Sequence, residues 1–371
     1  LYRVNYVEDG ELFRKPPVNE VGEVIEALGP NGFGHSRDQI ALNDGSGGLE
    51  WLDIGGKSQA ARPGLGLVIA NLDGQQGNEV FVGNDSTANQ CWKYRVDEER
   101  FVDTAKLMGL AFSAGGAGTA SMGIAAADFD NNGGMDFHIA NFQQEPVCLY
   151  MQDSGGYRDR AKQFGLGSVS LPVLGFGAQA IDFNNDGLAD LAVSNGHVDE
   201  YLQMDGDFRQ LPQLFANLGG RLVFSEVTDE SLYWATPHLG RAMAKLDVNR
   251  DGLMDLVVTH LNDPSALLMN ETITPNHWVQ FEFVGTESGR DAVGLRVEAS
   301  IAGKLKYGWV TAGDGYLCRN ESIIAMGIGR DEVVDELVVW WPSGRRQKFN
   351  SLKADHRYLI TEGQSLPHQL W

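Results

Sequence analysis

The chain has 371 residues, 43% hydrophobic and 9% aromatic, enough to bury a large core as one big domain or two and to exclude a disordered chain. Lys and Arg number 29 against 50 Asp and Glu, and the formal net charge of −21 at pH 7 disfavours nucleic-acid binding through phosphate neutralisation. No apolar run reaches the roughly 18 residues of a spanning helix, so no transmembrane segment is expected.

The chain opens on Leu1-Tyr-Arg3 without Met and reads as a mature or trimmed form, whose signal peptide would lie outside it. From residue 71 an acidic nine-residue pattern recurs. The weakest copy is Asn71-Leu-Asp73-Gly-Gln75-Gln-Gly77-Asn-Glu79. The strong copies are Asp128-Phe-Asp130-Asn-Asn132-Gly-Gly134-Met-Asp136, Asp182-Phe-Asn184-Asn-Asp186-Gly-Leu188-Ala-Asp190 and Asp247-Val-Asn249-Arg-Asp251-Gly-Leu253-Met-Asp255. Oxygen-bearing side chains fall at positions 1, 3, 5 and 9 of each. A hard cation such as calcium needs about six to eight oxygens, and the carbonyl at position 7 (Gly134, Leu188, Leu253) would join the carboxylates. Glycine at position 6 permits the sharp turn.

An EF-hand closes on a glutamate at about position 12 between helices. Here the closing acid comes earlier and the flanks, such as Gly123-Ile-Ala-Ala-Ala127 and Phe137-His-Ile-Ala140, are strand-like. Asp, Asn and Gly make hairpin turns unaided, but turn chemistry does not explain three copies with the same ligand positions. Calcium is expected in the three strong loops. A metal-free turn is the favoured reading of the Asn71 copy, with Asn71, Asp73, Gln75 and Glu79 as its weaker ligand set. Gly115-Gly-Ala-Gly-Thr119 lacks the Lys-Ser/Thr ending of a phosphate loop and reads as an inter-strand loop.

The copies start at residues 71, 128, 182 and 247, so they stand 57, 54 and 65 residues apart. A strand-rich unit at that period points to an all-β propeller with four short strands per blade. The repeats Ala127-Asp-Phe-Asp-Asn-Asn-Gly133 and Ile181-Asp-Phe-Asn-Asn-Asp-Gly-Leu-Ala-Asp-Leu191 resemble the FG-GAP/VCBS repeats of calcium-binding propellers. Asn276-His-Trp278, Ser288-Gly-Arg-Asp-Ala-Val-Gly294, Gly313-Asp-Gly-Tyr-Leu317, Met326-Gly-Ile-Gly329 and Trp341-Pro-Ser-Gly344 resemble an ASPIC/UnbV domain. Repeats first and ASPIC/UnbV last is the order of the CRTAC1-like family. Gly289, Leu295 and Met326 depart from the usual family residues in ways that look conservative for fold. The resemblance implies a propeller over residues 1–272 and an ASPIC/UnbV-like β domain over 273–371. Such relatives commonly carry about seven blades, whereas the length here leaves room for about five, unless the C-terminal segment supplies closing strands.

The resemblance also implies a binding or interaction module for a glycan, peptide or protein, with structural calcium and an extracellular or periplasmic location. The alternative is an enzyme of the UnbV type, or a propeller lyase or dehydratase acting on a small molecule at the channel face. A third reading, a subunit of an envelope complex, calls for a contiguous apolar patch on the C-terminal segment.

Candidate polar residues for a channel site are His197, His238, Arg241 and His260, with Asp199, Asn262 and Asp263 nearby, and His138 follows the first strong loop. They either line a common pocket as ligand or acid–base groups, or the histidines cap their own blades by bonding neighbouring turns. Arg241 either faces an anionic ligand or pairs with an acid. Arg290 and Asp291 are candidates for a turn-stabilising ion pair. Trp340 and Trp341 have opposite strand facings, which makes one core and leaves the other for packing or sugar stacking. Cys91, Cys148 and Cys318 lack metal-like spacing and fit one disulfide or three free thiols equally well.

Overall fold

The computed structural model describes residues 1–8, 18–22, 29–55, 60–200, 207–219, 221–224 and 232–371. Strands β1 (Tyr2–Arg3), β2 (Gln39–Asn43) and β3 (Leu49–Asp53) form a three-stranded antiparallel sheet. Three four-stranded antiparallel meanders follow. They are β4 (Gly64–Ala70), β5 (Glu79–Asn84), β6 (Gln90–Arg95) and β7 (Arg100–Asp103), then β8 (Ile124–Ala127), β9 (Asp136–Ile139), β10 (Cys148–Asp153) and β11 (Gly156–Asp159), then β12 (Gly175–Ile181), β13 (Asp190–Asn195), β14 (Gln213–Asn217) and β15 (Leu222–Phe224). The fifth sheet is β16 (Gly240–Leu246), β17 (Asp255–His260) and β18 (Ala266–Leu268).

The first strands of successive sheets lie side by side, β4 against β8, β8 against β12 and β12 against β16. Glycines allow that approach. A Cβ on Gly66 would lie 2.4 Å from the Met122 carbonyl oxygen, and one on Gly123 would lie 2.0 Å from that of Phe176. Apolar side chains interleave between sheets rather than in one central core. Tyr2, Val82 and Trp92 fill the first gap, Phe81, Phe137 and Tyr150 the second, Phe129, Leu191 and Phe215 the third, and Ala192, Met243 and Val258 the fourth. Phe81 and Phe137 pack with ring centroids 5.1 Å apart, and each such buried ring contributes about 1.5–3 kcal/mol. This is the all-β, propeller-type architecture expected from the repeat, with five sheets among the described residues before the C-terminal segment.

Residues 269–276 lead into β19 (His277–Val284), β20 (Arg296–Ile301), β21 (Lys304–Trp309), β22 (Ile323–Gly329), β23 (Val333–Trp340), β24 (Arg346–Lys353), β25 (His356–Thr361) and β26 (His368–Gln369). They make two four-stranded sheets, ordered β22-β19-β25-β26 and β21-β20-β23-β24, with β19 and β25 parallel. Val279, Phe281, Leu295, Val297, Leu337 and Trp341 belong to a separate core in this part.

Two C-terminal motifs meet at Glu362. Its Oε2 accepts the backbone N–H groups of Thr286, Glu287 and Ser288 at 2.8, 2.8 and 2.7 Å. Its Oε1 accepts the hydroxyls of Ser288 and Ser343 at 3.0 and 2.5 Å. Burial opposes ionisation of this carboxyl, but the Ser343 hydroxyl and the three N–H donors outweigh it and hold the pKa at about 2. Asp291 lies 3.6 Å from Arg319 rather than closing a pair with Arg290. All three cysteines are free, Cys91 and Cys148 buried and Cys318 half-buried. Among the described residues no helix is long and apolar enough to cross a membrane.

Candidate metal loops and the cavity beside them

Each acidic loop joins the first two strands of its sheet, β4 to β5, β8 to β9, β12 to β13 and β16 to β17. In the Asp128 loop, single carboxylate oxygens of Asp128, Asp130 and Asp136 all lie within 4.8 Å of one another. Asp128 accepts N–H bonds from Asn132 and Gly133, both 2.9 Å, and Asp136 accepts them from Phe129 at 2.9 Å and Gln152 at 2.7 Å. Asp182 and Asp190, and Asp247 and Asp255, hold their loops in the same way. At position 5 or 3 an amide N–H donates into a neighbouring carboxylate: Asn132 to Asp130 at 3.2 Å, Asn184 to Asp186 at 3.1 Å and Asn249 to Asp251 at 2.8 Å.

Five of these carboxyls resist ionisation. Burial, with the charge of neighbouring acids, pushes Asp128 up to about 6, Asp136 to about 8, Asp182 to about 7 and Asp190 to about 8, and it raises Asp255. An all-oxygen donor set with concentrated, poorly hydrated negative charge fits a hard divalent cation. Gly134, Leu188 and Leu253 are placed at position 7 of these loops, where their carbonyls would complete the set.

The Asn71 loop differs. Asn71 Oδ1 accepts the Gly74 N–H at 2.7 Å and Glu79 accepts that of Leu72 at 2.8 Å. The Lys93 ammonium bonds Asp73 and also reaches Gln75 Oε1 at 3.1 Å and Glu79 Oε1 at 3.6 Å.

The C-terminal sheets lie against all four loops. Asn78 Nδ2 donates to the Val293 carbonyl at 3.0 Å. A Cβ on Gly133 would stand 2.8 Å from the Tyr307 ring, and one on Gly187 2.5 Å from Lys306 Nζ. Lys306 also donates to the Gly187 carbonyl. Gln280 donates to Asp247 Oδ2 at 2.8 Å, Glu321 accepts the Asp247 N–H at 2.9 Å, and Arg357 binds both Gln280, at 2.7 Å, and Glu321.

Between loops and C-terminal sheets lies a cavity of about 490 Å³, bordered by Asp128, Asp182, Lys245, Lys306, Asp314 and Cys318 among others. Lys245 pairs with Asp314 at 3.5 Å and donates to the Ala180 carbonyl at 2.9 Å. Asn320 donates to Asp314 Oδ2 at 3.2 Å and the Cys318 thiol to the Met243 carbonyl at 3.0 Å. Sequence reasoning missed this group. Asp314 stands in the Gly313-Asp-Gly-Tyr-Leu317 motif, but nothing in the spacing linked it to Lys245, 69 residues earlier.

The histidines do not border this cavity. His238 and His260 stack at 5.0 Å beside Tyr233, and the Tyr233 hydroxyl bonds His260 Nε2 at 3.0 Å. His260 Nδ1 meets the Pro264 carbonyl at 2.7 Å, His238 Nε2 that of Tyr233 at 3.1 Å, and His197 Nδ1 that of Asp199 at 3.0 Å. No hydrogen bond or ring contact joins His197 to the stacked pair among the described residues. Arg241 donates to the His197 carbonyl at 2.9 Å and covers the Phe176 ring at 4.1 Å, and Asp263 pairs with Arg209. Asn262 takes a left-handed turn conformation, φ 64°. Burial pushes His138 down to about 3. Trp341 is buried, and Trp340 is half-buried with the guanidiniums of Arg296 and Arg346 at 5.4 and 5.3 Å from its ring.

Residues 285–367 match the family described as ASPIC and UnbV, so the chain carries an ASPIC/UnbV domain at its C-terminal end. The chain is similar to cartilage acidic protein 1. It is 24% identical to the Xenopus tropicalis protein over 297 residues, covering 76% of this chain and 42% of that one. It is 23% identical to the Homo sapiens protein over 295 residues, covering 77% and 42%. It therefore spans less than half the length of these relatives. Among solved structures, BP39L lectin from Burkholderia pseudomallei aligns with a TM-score of 0.33 at 13% identity, over 85% of this chain and 92% of that chain.

Proposed function

We propose that this chain is a calcium-organised propeller that acts as a binding module for a glycan, peptide or protein in an extracellular or periplasmic setting, with residues 1–272 as the propeller and 273–371 as the ASPIC/UnbV-like domain covering its loop face. The carrying observation is the convergence of Asp128, Asp130 and Asp136 oxygens within 4.8 Å, repeated as a sequence pattern at Asp182 and Asp247. Calcium bound there restores the ionised form that burial resists, and a cation that binds only the folded state stabilises it by mass action. Elemental analysis, with thermal melting in calcium and in EGTA, tests the metal reading. About three calcium ions per chain and a lower melt in EGTA support it, whereas no calcium and an unchanged melt sink it. Glycan and peptide arrays, probed with and without calcium, test the binding reading.

The cavity favours a second reading, an enzyme acting on a small molecule. Its polar groups would be Lys245, Asp314 and Cys318 rather than the histidines. Turnover of a small-molecule substrate, abolished in a folded Asp314→Asn variant, would establish it.

A further inference from the structure

The Asn71 loop repeats the nine-residue pattern, yet three of its four ligand positions already face a cation. Asp73 at position 3, Gln75 at position 5 and Glu79 at position 9 all reach the Lys93 ammonium. Asn71 at position 1 is turned to the Gly74 N–H. We propose that Lys93 is a built-in substitute for the metal, so that this loop is a cation site filled by the protein's own side chain and the chain takes up three ions rather than four. The inference rests on the calcium reading of the other three loops.

The strand register shows how Lys93 comes to face this loop. Val80 pairs with Trp92, so the next pair outward sets Lys93 opposite Glu79. Phe137 with Tyr150, Leu191 with Phe215 and Leu256 with Leu268 likewise set Met151, Ala216 and Met269 opposite the closing acids Asp136, Asp190 and Asp255. None of those three side chains carries a charge. Lys93 projects from a strand whose preceding residues are packed in the core, and its side chain is only 17% exposed, which pre-orders the ammonium at the loop.

Charge accounting agrees. Each strong loop brings three carboxylates at its ligand positions, and one calcium leaves a residual charge of −1. The Asn71 loop brings two, Asp73 and Glu79, and one ammonium also leaves −1. The turn geometry is related but not identical. Position 4 has positive φ in every copy, at Gly74 (71°), Asn131 (54°), Asn185 (56°) and Arg250 (64°), whereas the second positive φ lies at position 7 here, at Gly77, and at position 6 in the strong loops.

The test is metal stoichiometry of the whole chain, by elemental analysis after equilibration with calcium and by calorimetric titration. Wild-type protein is expected to bind about three ions, and Lys93→Met, which installs the residue of two sister strands, about four. Lys93→Gln serves if Lys93→Met does not fold. The converse variant, Met269→Lys, is expected to lower the count to about two, because Met269 lies at the equivalent register position and is partly exposed. Wild-type uptake of three with a folded Lys93 variant also at three overturns the proposal and leaves the calcium reading standing. Wild-type uptake of four overturns it too, and uptake of none overturns both.

Discussion

Gly252 and Trp278 are in direct contact between the Asp247 loop and strand β19: a Cβ on Gly252 would lie 1.9 Å from the indole ring. Gly252 also has φ 84°. The residue at position 6 therefore meets two demands, one from the turn and one from the indole packed on it. Gly252→Ala is expected to cost roughly 2–5 kcal/mol, adding left-handed strain to overpacking. Chemical denaturation measures it. A cost below 1 kcal/mol would show that the indole moves aside freely.

Removing one ligand should remove one ion. Asp136→Asn retains shape and the backbone partners at Phe129 and Gln152 but loses the charge. The expected result is one fewer calcium per chain and a smaller gap between melts in calcium and EGTA. At a free calcium concentration of 100 times Kd, each site supplies about 2.7 kcal/mol. An unchanged ion count would place the metal elsewhere.

Glu362 gives the C-terminal domain an acid limit. Its pKa is held at about 2 against an ordinary 4.5. A depressed carboxyl stabilises the fold above the unfolded value and loses that contribution as pH falls through the folded value. Stability should therefore drop between about pH 4.5 and pH 2. Glu362→Gln should flatten that limb and cost on the order of 2 kcal/mol at neutral pH, since it removes charge-assisted hydrogen bonds. A variant that unfolds with the wild-type acid profile would refute the assignment.

Lys245 and Asp314 form a shielded pair, their side chains 22% and 9% exposed. Lys245→Met strands the Asp314 carboxylate and should cost about 3 kcal/mol or more. Adding Asp314→Leu should recover part of the loss. Additive losses in the double-mutant cycle would show the two residues to be uncoupled.

Much of the fold was legible because it is periodic. The acidic loops recur, and glycines recur in the segments that lead into them, as at Gly66, Gly123 and Gly177. The C-terminal motifs were equally readable as a string, and the contacts of His260 with the Pro264 carbonyl and of His197 with that of Asp199 are local to each turn. What stayed hidden depends on pairs far apart in sequence. Lys93 reads as an ordinary strand lysine until the register sets it opposite Glu79. Glu362 lies outside every quoted motif, yet it ties Ser288 to Ser343. Asp314 gains its meaning from Lys245, and Gly252 from Trp278.

The order in which the chain is made gives the covered loops a history. Gly252 leaves the ribosome 54 residues ahead of Lys306, an interval of about 3–10 s at typical synthesis rates. Through that interval the acidic hairpins exist without the sheets that later lie over them. Because Asn132, Asp186 and Asp251 at position 5 of the strong loops stay exposed in the finished protein, a cation can still enter from the solvent side after those sheets have closed, so re-uptake of calcium by chelated, folded protein is expected to be fast.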